Sequence, residues 1–351
     1  MAQRYGLRRG LSRVAQSQLA ALATILVLLA SMPADATAAT REPMPSSEAV
    51  SVGRGLGPSA VDTTPSRSEW SAARAGRGTV YQVTFWAPAG VKILVEGLLP
   101  LTVPASAADG HLAGIAVARC RGDGGDRRTM TIARNIRRGQ TVRLRPGFLY
   151  TPTITGDHRC EVALRTGRPR PARYGGASNT VRLAPGGQLR VSRADDAVSE
   201  SFRPGRPSPL VRRGRPLPTF AAVRIPSTMP RFQIAFATYL TSCTSRSGSY
   251  DTISGRYTCP QRLVRRSDSR VRVRVLLAQL GGGTCGRRVA LVDQVVRVDK
   301  HLHHLPFWRG VSGELRPDCG DAVARLSFTT LSATPVVVHR SGTLLRVRVR
   351  P

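Results

Sequence analysis

Two residue types are nearly missing from this sequence. Lysine occurs only at Lys92 and Lys300, and asparagine only at Asn135 and Asn179. Both have AT-rich codons while arginine codons are mostly GC-rich, so a GC-rich genome explains arginine in place of lysine. It does not explain 53 basic residues against 21 acidic ones and a net charge of +32, and that excess keeps weight as an affinity for anionic partners. Aromatic residues are also scarce, at 5%, so any core must rest on Val, Leu, Ile and Ala. With 41% apolar residues there is enough of these for packed cores, which excludes wholesale disorder. Trp86, Trp308 and the tyrosines are read as core packing or lone surface rings rather than a sugar-stacking platform.

The missing motifs exclude whole classes of chemistry. No C-x-x-C pair occurs, so zinc ribbons and thioredoxin-like redox sites lack their spacing. There is no H-E-x-x-H and no phosphate-binding G-x-x-x-x-G-K-[ST]. G-V-S-G-E at 310–314 fails the nucleophile-elbow pattern at its last position. No asparagine follows Asn179, which removes the ligand set of an HNH nuclease. Carboxylates are scattered, and the six cysteines pair off, leaving no free thiol nucleophile. No catalytic residue and no cofactor site is therefore assigned. The competing reading is a secreted hydrolase whose catalytic groups meet only in the fold.

What is present begins with a targeting signal. Arg4, Arg8, Arg9 and Arg13 precede the apolar run L-A-A-L-A-T-I-L-V-L-L-A (19–30), which is short for a membrane span. Small-residue cleavage patterns follow at Ala34–Ala36 and Ala36–Ala38. Residues 1–38 read as a Sec-type signal peptide, placing the protein outside the cell, with no transmembrane segment after cleavage. Six cysteines, all beyond residue 119, fit an oxidising compartment. Residues 39–78 read as a flexible leader, and 201–218, with five prolines and five arginines, as a stiff extended linker.

The segments 79–200 and 219–351 are rich in short apolar runs at regular spacing, bounded by Gly and Pro and without helical period. That pattern predicts an all-β fold of two β-sandwich, immunoglobulin-like domains. The two also read as copies. Cys120 is followed by Arg127-Arg128 and then Cys160; Cys285 is followed by Arg287-Arg288 and then Cys319. Each second cysteine leads to a strand and then to a late strand opened by a small polar turn, S-N-T or S-G-T. Matching the copies predicts disulfides Cys120–Cys160 and Cys285–Cys319, which leaves Cys243–Cys259 to close an insert of the second domain alone.

Two further groups carry chemistry. His301-Leu302-His303-His304 follows Asp299, and on a strand His301 and His303 would share a face, making them candidate metal ligands. In S-R-V-R-V-R-V-L-L (269–277), Arg270, Arg272 and Arg274 fall on one face and valines on the other; Arg346 and Arg348 repeat this near the C-terminus. The alternation itself is what a half-buried strand requires. Its functional content lies in the choice of arginine, with charges roughly 6.5–7 Å apart, suited to an anionic polymer or a membrane surface. Nucleic acid is disfavoured because no aromatics are interleaved for base stacking. R-G-D at 121–123 is too short to weigh.

Overall fold

A computed structural model describes residues 51–52, 54–55, 60–61, 79–107, 110–167, 181–194, 197–245, 250–251, 256–281 and 283–349. The expected signal peptide (1–38) lies outside the described residues. The first half supplies β1 (Ser51–Val52), β2 (Arg54–Gly55), β3 (Ala60–Val61), β4 (Thr79–Ala87), β5 (Ile93–Thr102), β6 (His111–Gly122), β7 (Arg127–Arg137), β8 (Thr141–Leu144), β9 (Gly147–Tyr150), β10 (Gly156–Gly167), β11 (Val181–Leu183) and β12 (Gln188–Arg193). The second supplies β13 (Val198–Glu200), β14 (Leu210–Val211), β15 (Leu217–Ile225), β16 (Arg231–Ser242), β17 (Tyr250–Asp251), β18 (Arg256–Tyr257), β19 (Ser269–Gln279), β20 (Arg288–Val298), β21 (His304–Glu314), β22 (Ala322–Thr330) and β23 (Val336–Val349). The first three strands fall within the stretch expected as a flexible leader. They pair with β12, β4 and β11, so these six residues of it join the fold.

Each half is a sandwich of two antiparallel sheets. In the first, one sheet runs β2-β4-β10-β6-β7; in the other, β12 lies on one side of β5 and β9 on the opposite side, with β1 beyond β12. β8 continues β9 along β5 past Pro146, and β11 continues β12 past a turn in which Gly186 has φ 84°. In the second half the sheets run β15-β22-β19-β20 and β13-β23-β16-β21. Counting eight strands in chain order, with β8–β9 and β11–β12 as one strand each and the two-residue strands β2, β3, β14, β17 and β18 set aside, both halves give the orders 2-7-4-5 and 1-8-3-6. This is jelly-roll order, in which every connection but the fourth-to-fifth hairpin crosses between the sheets. The spacing of strands carried the sandwich, whereas the connectivity departs from the immunoglobulin pattern.

The alternation of the sequence builds the cores. Val273 and Val275 of β19 stand beside Phe328 and Leu326 of β22 on the core side of their sheet, all fully buried, with Val271 and Ala324 on the same side. The first core gathers Ile93, Val95, Leu99, Ile115, Ile132 and Val162. The disulfides are Cys120–Cys160, Cys243–Cys259 and Cys285–Cys319, the pairs predicted by matching the halves. Cys120 and Cys160 sit opposite each other on β6 and β10. Cys285 follows β19 and Cys319 precedes β22, so the second bridge ties the same two strands at the same end.

Two local expectations are corrected. Residues 201–218 are extended but not a free linker. The Ser201 hydroxyl donates to the Arg340 carbonyl, the Arg340 amide to the Ser208 hydroxyl, and β14 pairs with β23. Proline-rich chain of this kind cannot complete a ladder, and here it finds its partners along one edge of the second sandwich. The S-G-T at 341–343 is not a turn either, because β23 runs through it with a register shift against β16 between Ala237 and Tyr239. Gly342 makes the shift possible. A Cβ there would lie 2.6 Å from the Tyr239 Cβ.

Tyr239 joins the two halves. Odd-numbered residues of β16 point away from their own core, and Tyr239 enters the apolar cluster of the first sandwich. There the Ala133 backbone of β7 reaches its phenol, and Ile132 of the same strand lies beside Gly342 next to it.

Candidate functional site

The same outer face of β16 forms the floor of a groove between the sandwiches. Register places Leu344, Ala237 and Trp308 in one row across β23, β16 and β21. The next row is Arg346, Ala235 and Gly310, and the third is Arg348, Gln233 and Ser312. The middle of the floor is thus small or polar, with arginines along one side and Trp308 on the other. β23 and β21 lie two strand spacings apart across the sheet, roughly 9–10 Å, and Arg346 sits one row further along it than Trp308. The first sandwich supplies the facing wall through Glu96, Arg145, Gln188 and Arg190.

Two cavities of about 300 and 310 Å³ adjoin here, sharing Arg145, Ala237 and Trp308 in their walls. The second adds Arg134 and Arg143. Six arginines therefore line the combined space against one carboxylate, Glu96, among the described residues. Arg346 Nη1 donates to Glu96 Oε2 at 3.0 Å, and Arg348 Nη2 lies 3.6 Å from the same oxygen. The Arg145 guanidinium sits 4.7 Å from the centre of the Trp308 ring, a cation–π contact that orients both groups. Trp308 stays 47% exposed. Arg143, Arg145 and Arg190 make no ion pair among the described residues.

The predicted arginine rows separate in the structure. Arg270, Arg272 and Arg274 lie on the outer face of β19, in the sheet away from the groove, while Arg346 and Arg348 lie on β23 inside it. Asp293 of β20 stands opposite Arg274 and takes two bonds from Arg272, at 2.5 and 2.6 Å. It also lies 3.5 Å from Arg274 Nε. Two of the three charges of that row are thus matched within the sheet. The rows form no common face, because successive layers of a sandwich turn their wet sides in opposite directions.

The structure does not place the two candidate histidines on a strand. His301 and His303 precede β21 instead of alternating on a strand, and Asp299 caps the turn by accepting from the His301 and Leu302 amides. His301 is exposed and His303 half-buried. Neither belongs to a group of three ligand-bearing side chains among the described residues. One such group exists, Cys285, Asp318 and Cys319, and its two sulfurs are consumed in a disulfide.

No sequence pattern marks out His304 and His339, which the fold buries beside Tyr239. Tyr239 and His304 Nδ1 share a 2.5 Å hydrogen bond, and the His339 ring stacks on Tyr239 at 4.3 Å. His303 packs on His304 with centroids 4.3 Å apart. Burial pulls His303 down to about 4, with nearby His111 adding to the shift, and holds His304 well below the ordinary imidazole range. Protonation therefore favours the unfolded chain, whose histidines titrate near 6.5. Stability should be full above that pH and fall as pH drops towards 4, by roughly 3 kcal/mol for His303 alone. Denaturant unfolding at pH 7 and pH 4.5 checks this, and His303→Gln should flatten part of the slope.

No family model matches the chain, and no curated protein matches it in sequence. Several solved structures are similar. The tandem CBM22-1–CBM22-2 domain of Paenibacillus barcinonensis Xyn10C is 13% identical, covering 89% of this chain and 100% of that one, with a TM-score of 0.22. N-glycanase F (PNGase F) is 10% identical over 84% and 96%, with a TM-score of 0.31. The stem and receptor-binding domain of spike protein P1 from bacteriophage PM2 is 8% identical over 78% and 99%, with a TM-score of 0.22.

Proposed function

We propose that this chain is a secreted, non-catalytic binding protein that takes an anionic extracellular or cell-envelope polymer into the groove between its two sandwiches. The observation that carries the reading is the convergence of Arg145, Arg190, Arg346 and Arg348, from both halves, on one trough with a single carboxylate among its described lining residues. Guanidinium groups match carboxylate, sulfate and phosphate oxygens in paired hydrogen bonds and stay charged at any working pH. Three disulfides support an oxidising location, and no described helix is long and apolar enough to cross a membrane. A hydrolase acting here would need a second carboxylate beside Glu96 to share acid and base roles; among the described residues none lines the groove, and Glu96 is held by two arginines.

Binding to immobilised dextran sulfate should weaken steeply with salt, because each neutralised anion releases a counterion. Replacing Arg145, Arg190 and Arg348 together by glutamine should lower the slope of log affinity against log salt by about 2 units, at ~0.7 per contact. The same change at Arg270, Arg272 and Arg274 removes equal charge and should leave the slope nearly unchanged. Ala235→Phe, which fills the trough floor with every charge kept, should also abolish retention. Equal losses from both arginine sets would show that net charge alone acts, and retention independent of salt would remove the polyanion reading.

A further inference from the structure

We infer that the polymer is an acidic glycan, and that Glu96 is a resident carboxylate whose place between the arginines the ligand's own carboxylates contest. This rests on the groove reading above and names its substrate class. Three features select a carboxylated sugar chain over a bare polyphosphate. Glu96 is itself a planar carboxylate held beside two guanidiniums, at 3.0 and 3.6 Å, so the site already displays the anion geometry it accepts. Trp308 offers a half-exposed indole at the opposite side of the trough, steadied by Arg145, and an apolar ring there suits the C–H face of a pyranose. Gln188 and Gln233 line the same space with amides that both donate and accept, as sugar hydroxyls require. The small floor residues Ala235, Ala237 and Gly310 leave room for a ring to lie flat against the sheet. A phosphate chain would use the arginines and the amide N–H groups but leave the indole and the amide carbonyls idle.

Glu96 then acts as an internal competitor. With the groove empty it offsets part of the positive charge of Arg346 and Arg348 and ties the first sandwich to the second. A glycan carboxylate arriving at Arg348 must share the guanidinium with it. Removing the Glu96 charge should therefore tighten anion binding, the reverse of what an ordinary structural ion pair would do.

The test is titration of the full-length secreted protein, by calorimetry at fixed salt, with polygalacturonate, inorganic polyphosphate and neutral dextran. Polygalacturonate is expected to bind more tightly than polyphosphate per charge, and dextran not measurably. Trp308→Leu should weaken polygalacturonate about ten-fold, the scale of one lost aromatic stacking contact, and leave polyphosphate within two-fold. Glu96→Gln should tighten polygalacturonate several-fold. Thermal unfolding of both variants confirms that each is folded. If polyphosphate binds as well as the glycan and Trp308→Leu affects both alike, the glycan assignment is wrong and the anion groove stands. If Glu96→Gln weakens binding or leaves it unchanged, the competitor role is wrong. If no polyanion binds at low salt, the groove reading itself falls.

Discussion

Tyr239→Ala is expected to lower the stability of the protein by about 3–5 kcal/mol, among the larger losses for a single aromatic truncation. The side chain leaves one sandwich and is buried in the core of the other, so its removal opens a cavity at the join rather than inside one half. It also takes away the partner of His304 Nδ1 and the ring stacked on His339. The Thr241 hydroxyl and the Ala133 backbone reach the same phenol, and burial pushes its pKa far up, so the group is neutral throughout. Tyr239→Phe keeps the ring and loses only these polar contacts, and should cost about 1–3 kcal/mol. Gly342→Ala should mimic the larger loss, because its new Cβ would lie 2.6 Å from that of Tyr239. Equilibrium denaturation by urea, followed by near-UV circular dichroism, measures all three. In Tyr239→Ala the single transition should divide in two as the halves uncouple. A loss below 1 kcal/mol with one transition retained would show that Tyr239 is not what joins them.

Much of the fold was legible, and the parts that were not have identifiable causes. Runs such as R-V-R-V-R-V show period two without ambiguity, and β19 lies where that period ends and begins. Cysteine spacing in the two halves was informative because the bridges tie the same pair of strands in each. β21 is hard to read because H-L-P-F-W-R-G-V-S-G-E contains a proline and two glycines, and such a strand is tolerated only at a sheet edge, where β21 lies. β15 is masked by the proline-rich stretch it starts in. The order of strands was illegible for a different reason: jelly-roll and immunoglobulin sandwiches demand the same alternation and differ only in which sheet each connection enters. The groove was half visible. Arg346 and Arg348 stood out, but Arg145 and Arg190 looked like any other arginine in a chain with so many. F-Q-I-A-F-A carried a quieter signal, since an exposed sheet face would hold larger polar groups where β16 places Ala235 and Ala237. Trp308, read as a lone ring or core residue, lies half-exposed at the groove.

Arg128→Met should be as damaging as the loss of Tyr239, for an electrostatic reason. Arg128 on β7 is paired with Glu200 on β13 in a contact almost closed to water, and it also donates to the Thr129 carbonyl at 3.2 Å. Its guanidinium lies 3.2 Å from the centre of the Phe202 ring, with Phe148 at 5.5 Å. Burial pushes the Glu200 carboxyl up even with the cation beside it. Methionine fills much of the same volume but leaves Glu200 buried without its cation, a change that typically costs 3–5 kcal/mol. The pH dependence separates this from simple loss of packing. Without Arg128, the folded pKa of Glu200 rises further above its unfolded value, so protonation favours the fold and the deficit should shrink as pH falls from 7 towards 5. The comparison must be with wild type at each pH, because the buried histidines drive both proteins the other way. Arg128→Met combined with Glu200→Leu removes both charges and should recover most of the stability, since an apolar pair of similar volume is often neutral. A deficit that is constant with pH and is not relieved by the second substitution would mean that Arg128 acts through its stacking on Phe202, not through its charge.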